Sequence, residues 1–414
     1  MVFRSRRLAA SAGILAVGAL LLAGCTGDDA PNPADLADPL PDDVAAQLEA
    51  ATERAMQGAG APGAVAGVWV PWAGEWVEGV GETEIGSGET PSATMTFRAG
   101  EITRSMTCDV LFALDDRGTV SVDDPVTTYI PSTPQLAEVT LEDLCDGLSG
   151  VRPSQNGRWS SILSNLDRNW EPREFVAEGL GRGMASADSW RDSDSDYFLL
   201  GMALENASHT SLRELYRTYV AEPAGLTSTT LPGDAPGTVE FTGYYTSSGQ
   251  QQNACEGEPR DVTELSPTFG YANSGVVSTV TDLRDYASAL AAGVGSGDDV
   301  ELRWQDSLPT DPEGDQWVRA AGGDLMLGTL VGQQGAMVGY STAAYSDVET
   351  GLTVVVVLNN SAAGDEIAGA LARELAAIAM QVPGDGQPDT TFPWTVEQAH
   401  SAVGSAAVCP IEGE

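Results

Sequence analysis

Residues Phe97–Pro131 read FRAGEITRSMTCDVLFALDDRGTVSVDDPVTTYIP, and the organisation of the chain follows from them. Ile102, Met106, Val110 and Leu114 recur every four positions, which places them on one buried helix face. Arg117-Gly118 gives that helix an end, because glycine accepts the left-handed backbone that closes a last turn. Asp123-Asp124-Pro125 then reads as a turn. The stretch predicts a loop, a long helix, a glycine stop and an acidic turn.

The surrounding chain is unusual in its charge. Its 414 residues are 42% hydrophobic and 19% charged, enough apolar material for a large folded core and too little charge for a disordered chain. Acids outnumber bases 60 to 20, for a net charge of −40, and every base is arginine. Without lysine there is no Schiff-base chemistry, phosphate-loop lysine or Ser-Lys dyad. The two histidines, His209 and His400, cannot supply a multi-histidine metal site, and both read as surface residues. The acidic balance argues against nucleic acid, whose binding depends on neutralising phosphates. No cofactor is expected.

Residues 1–24 read as a signal sequence. Arg4, Arg6 and Arg7 precede an apolar run from Leu8 to Leu22 that is short for a membrane span. The run ends in Leu22-Ala23-Gly24-Cys25, which resembles the bacterial lipobox and implies lipidation at Cys25. Cleavage there removes three arginines and no acid, so the mature chain is more acidic still. The expected location is the outer face of the cytoplasmic membrane, held by lipid. Residues 25–43, rich in Pro, Asp and Ala, read as a flexible tether. The remaining Cys108, Cys145, Cys255 and Cys409 are an even set in an exported chain; two disulfides are expected, with three pairings open.

Further on, Asp43–Gln57 has the spacing of an amphipathic helix. VAGVWVPW and GEWVEGVGE, after Pro62-Gly63, read as a strand pair. Leu325–Gly332, Ser341–Asp347 and Leu352–Asn359 read as three closing strands and Asp365–Met380 as a closing helix. Residues 381–414 read as a Pro/Gly-punctuated tail, and Thr238–Arg260 as an excursion. The blocks Phe97-Arg98-Ala99-Gly100, Asp123-Asp124-Pro125, Leu148-Ser149-Gly150-Val151, Asp196-Tyr197-Phe198-Leu199-Leu200-Gly201 and Gly270-Tyr271-Ala272-Asn273-Ser274-Gly275 occur in one order. In that order they resemble the serine β-lactamase and D-Ala-D-Ala carboxypeptidase family. The resemblance covers residues 44–380. It implies a two-lobed α/β (α+β) fold of the β-lactamase/transpeptidase type, with an antiparallel sheet flanked by helices and a mainly helical lobe. It also puts the helices of Cys108 and Cys145 side by side, which favours Cys108–Cys145 and leaves Cys255–Cys409.

The family's chemistry uses three clusters, and the resemblance locates each. The Ser-x-x-Lys slot reads Glu101-Ile102-Thr103-Arg104, the Tyr-x-Asn slot reads Asp192-Ser193-Asp194, and the Lys/His-x-Gly slot reads Gln333-Gln334-Gly335. Glu101 cannot be acylated as a serine can, and Arg104 keeps its proton at all working pH. Since a buried arginine needs a carboxylate, Arg104 is expected to face Glu101, with Asp192 and Asp194 near by, as a salt-bridged plug. The sequence therefore predicts a lipid-anchored, non-catalytic relative with a binding or scaffolding role at the cell envelope. The expected partner is a peptidoglycan peptide or another envelope component. The alternative is an active serine hydrolase of carboxypeptidase, β-lactamase or esterase type, using a non-standard nucleophile such as Ser105. Oligomeric state is not legible.

Overall fold

A computed structural model describes residues 38–154, 159–233, 239–246, 255, 258–294 and 303–411. The signal sequence, Cys25, most of the tether and, within the 238–260 excursion, residues 238, 247–254, 256 and 257 lie outside the described residues.

The centre is an eight-stranded antiparallel sheet ordered β2-β1-β12-β11-β10-β9-β8-β7. Its strands are β1 Gly63–Val70, β2 Gly74–Gly81, β7 Leu308–Pro309, β8 Val318–Ala321, β9 Asp324–Leu327, β10 Leu330–Met337, β11 Tyr340–Asp347 and β12 Thr353–Leu358. Two short pairs lie elsewhere: β3 Phe97–Arg98 with β6 Val277–Ser278, and β4 Tyr244–Tyr245 with β5 Arg260–Asp261. Every residue of β1, β11 and β12 is buried, as a sheet covered on both faces requires. The alternation sorts the two cores. Val354, Val356 and Leu358 face one core and Val355 and Val357 the other.

On the first face pack α1 Asp42–Ala59, α10 Glu366–Ala379 and α11 Val396–Ala406. The other face carries α2 Ile102–Asp116 and α9 Val280–Ala291. Around α2 sits the helical lobe: α3 Leu141–Cys145, α4 Trp159–Ser164, α5 Pro172–Gly181, α6 Asp194–Ser208, α7 Leu212–Tyr216 and α8 Tyr271–Ser274. Local chemistry places these starts. Thr140 and Asp143 form a reciprocal capping box on α3 (Asp143 N to Thr140 Oγ1, 3.1 Å; Thr140 N to Asp143 Oδ2, 2.8 Å), satisfying two amides that the helix cannot. Thr279 caps α9 through Asp282 N at 3.1 Å.

The disulfides are Cys108–Cys145, joining α2 to the end of α3, and Cys255–Cys409. No described helix is long and apolar enough to cross a membrane.

Three expectations need correcting. Leu325–Gly332 is not one strand, because Gly328 at φ 62° turns β9 into β10. Residues 381–414 are not only a punctuated tail. They contain α11, whose Ala399 and Val403 are buried with α1 and α10, and Val408 N and Cys409 N donate to Gly58 O at 2.9 and 3.0 Å. The end of the tether is also part of the fold: Leu40 is buried, and residues 38–40 pair with Glu75 (Leu40 N to Glu75 O, 3.0 Å; Glu75 N to Asp38 O, 2.8 Å).

Candidate functional site

The first turn of α2 and the free edge of β10 meet in a small cleft of about 110 Å³. β10 pairs with β9 only over Leu330–Gly332, so the edge from Gln333 to Met337 is open on that side and faces α2. Glu101 and Arg104, Asp192, and Gln333 and Gly335 line this one cleft. The three expected slots are thus brought together, apart from Asp194. That residue is turned away into the helical lobe, where it accepts from Ser154 N at 2.7 Å and from the Ser154 hydroxyl.

Arg104 is deeply buried, and its partner is not the expected one. Nη1 donates to Asp192 Oδ1 at 2.6 Å and Nε to Asn273 Oδ1 at 2.9 Å, while the guanidinium lies 4.9 Å from the centre of the Tyr197 ring. Burial opposes its charge, but Asp192 and then Glu101 outweigh that and hold its pKa above the usual arginine value. No ion pair links Glu101 to Arg104 among the described residues. Glu101 occupies the position just before α2 and is bonded to Arg104 only through the backbone (Arg104 N to Glu101 O, 2.9 Å). Its Oε2 is buried without a hydrogen-bond partner. Burial pushes its carboxyl up to about 8, opposed by Arg104 and reinforced by Asp365 and Asp192.

The far wall is held by polar contacts. Gln333 Nε2 donates to Gly323 O at 2.8 Å, and Gln334 Nε2 donates to Asp365 Oδ2 at 3.0 Å while its Oε1 accepts from Tyr345 OH at 3.1 Å. Ser105, the alternative nucleophile, is fully buried and donates to Gly323 O at 3.2 Å; it is not part of the cleft lining. Behind it Arg303 pairs with Asp324 (Nε to Oδ2, 2.7 Å) and with Asp109, which also accepts from Tyr286 OH at 2.6 Å. Burial lifts Asp324 to about 6 despite Arg303.

Neither histidine approaches the cleft. His209 is exposed and ends α6 at φ 54°. His400 is not simply a surface residue: it is half-buried, with Nδ1 3.2 Å from Glu374 Oε1. Among the described residues no group of three His, Cys, Asp or Glu is placed to hold a metal.

Sequence reasoning missed Trp190, Asp324 and Asp365 in the lining. Asp324 follows a Gly-Gly turn and Asp365 precedes a helix, which are structural signals rather than site signals. Asn273 and Tyr197 lay inside quoted blocks, but nothing in those blocks marks them as partners of an arginine.

Comparison with known proteins agrees with this fold. The Beta-lactamase family profile matches residues 48–378, so the chain belongs to the β-lactamase family. It is 24% identical to the putative penicillin-binding protein PbpX of Bacillus subtilis (strain 168) over 132 residues, 32% of each chain. It is 26% identical to the D-alanyl-D-alanine-carboxypeptidase/endopeptidase AmpH of Escherichia coli (strain K12) over 149 residues, 34% of this chain and 38% of that one. The match therefore spans about a third of the length of these relatives. A D-stereospecific amidohydrolase from Streptomyces sp. shares the fold with a TM-score of 0.65 at 22% identity, over 75% of this chain and 94% of its own. So does the octameric penicillin-binding protein homologue from Pyrococcus abyssi, with a TM-score of 0.67 at 20% identity, over 85% and 80%.

Proposed function

We propose that this β-lactamase-family protein binds a ligand in its cleft without acylating it, as a lipid-anchored component of the cell envelope. One observation carries the reading: none of the described cleft-lining residues is serine, lysine or histidine. Glu101 and Arg104 stand where the resemblance places nucleophile and base, and Arg104 is already committed to Asp192 and Asn273. Removing the nucleophile or base of a comparable serine enzyme costs about 10⁶ in rate. The lipobox-like Cys25 supports the anchor, and the relatives named as penicillin-binding protein and carboxypeptidase support a peptidoglycan peptide as the kind of partner.

The test is covalent labelling. The mature protein is incubated with a fluorescent β-lactam and, separately, a fluorophosphonate, and its intact mass is measured. An unchanged mass is expected; a stoichiometric adduct on any serine overturns the reading. A second reading, serine hydrolysis by a non-standard nucleophile, draws on the amidohydrolase and carboxypeptidase names among the relatives, and the same adduct would establish it. Detergent-phase partitioning of the full chain against Cys25→Ser tests the anchor, with loss of partitioning expected in the variant.

A further inference from the structure

We propose that Asp192 is a placeholder on Arg104, and that the cleft takes a ligand carboxylate which displaces it. This inference rests on the reading of the cleft as a binding site.

The two halves of the Arg104–Asp192 pair are unequal. The Arg104 side chain is 9% exposed and the Asp192 side chain 63%. Arg104 is fixed from behind by Asn273 at 2.9 Å and by the Tyr197 ring. Asp192 precedes α6, and its side chain makes no other hydrogen bond among the described residues. The exposed Asp192 carboxylate can return to water, because more than half of its side chain already faces solvent. A buried guanidinium cannot be left without an anion. Asp192 is therefore the part that can leave, and what replaces it must carry negative charge. A carboxylate-for-carboxylate exchange keeps the charge-assisted hydrogen bond to Arg104. The high exposure of Asp192 also shows that solvent reaches this side of Arg104.

Other acids of the cleft are engaged by their own partners. Asp324 is paired with Arg303 at 2.7 Å and Asp365 accepts from Gln334 at 3.0 Å. Glu101, with its carboxyl near 8, is largely neutral at pH 7. The Asp192 backbone need not move far, because the neighbouring Arg191 N is tied to Gly147 O at 3.0 Å. The side chain alone can swing outward.

The experiment uses N-acetylglycine and N-acetylglycinamide, which differ in the carboxylate, and acetate as the minimal anion. Binding is measured by calorimetry and by thermal shift below pH 7 on the mature protein, Asp192→Asn and Arg104→Met. The expectation is that Asp192→Asn binds N-acetylglycine at least about tenfold more tightly than the parent, because an intramolecular competitor has been removed. The amide should not bind, and Arg104→Met should bind neither. Equal or weaker binding by Asp192→Asn, or preference for the amide or for a cationic analogue, overturns the proposal. A response to acetate equal to that for N-acetylglycine assigns the site to small anions generally and still supports the exchange. If Asp192→Asn does not fold, the parent decides: melting must rise with the acid and not with the amide, and a rise with both or neither overturns the proposal. A serine adduct in the labelling test would overturn the binding reading itself, and is read independently of these titrations.

Discussion

Gly335 and Glu101 are in closer contact than any residue with a side chain at position 335 would permit. A Cβ built on Gly335 lies 2.2 Å from Glu101 Oε2 and 2.4 Å from Glu101 N. The side-chain oxygen can swing away, but the backbone nitrogen at the start of α2 cannot. Gly335→Ala should therefore force β10 and α2 apart and destabilise the fold by about 1–3 kcal/mol. Urea denaturation checks this; a variant within experimental error of the parent would mean that the helix start is softer than its contacts imply.

Acidification should stabilise the protein across the neutral range. The folded state holds the Glu101 proton up to about 8, whereas the unfolded chain releases it near the ordinary 4.5. Between those values the native state binds more protons, so its stability is full below about 4.5 and is lost as pH rises through 8. Asp324 and Asp146, both lifted to about 6 by burial, act in the same direction at lower pH. Each group contributes at most about 1.4 kcal/mol per pH unit. Urea midpoints at pH 5 and pH 8 should show the parent weaker at pH 8, and Glu101→Gln should remove part of that difference. Parallel profiles for the two proteins would count against the raised carboxyl.

The Arg303 cluster should be far more sensitive than its distance from any solvent suggests. Arg303 is 2% exposed in its side chain and serves both Asp109 and Asp324. Arg303→Met strands two buried carboxylates, at a cost of about 3–5 kcal/mol. The triple replacement with Asp109→Asn and Asp324→Asn should recover part of that loss, and equilibrium denaturation of the two variants decides it.

The Cys108–Cys145 bridge spans a separation of 37 residues, which in the chain-entropy account corresponds to about 3–4 kcal/mol. Replacing both cysteines by alanine should lower the melting temperature by an amount consistent with that figure. An unchanged melting point would show that packing between α2 and α3 holds the segment without the bond.

The parts of the fold that were legible are those set by neighbours in sequence. The four-residue spacing of Ile102, Met106, Val110 and Leu114 marks α2, and Arg117-Gly118 marks its end. The β9–β10 hairpin was misread because an apolar run on both sides of Gly328 has no period that separates one strand from two. Helix α11 was hidden by the prolines and glycines before it, although Thr395-x-x-Gln398 is a capping signal. Five of the six site positions named from the resemblance line the cleft, Asp194 being the exception, but the pairing was not readable. Arg104 takes Asp192 because residues 101 and 104 straddle the helix start, where Glu101 belongs to the preceding turn. The Arg303–Asp109 partnership joins positions 194 apart, and such a contact leaves no local trace.

The clasp between Gly58 and Val408–Cys409 also determines which parts of the domain open together. Because the last turn of α1 accepts both amides and α11 packs over it, residues 396–409 are tied to the body of the fold. Amide hydrogen exchange should show residues 396–409 protected as slowly as the central strands, so that the final helix opens only when the sheet beneath it does.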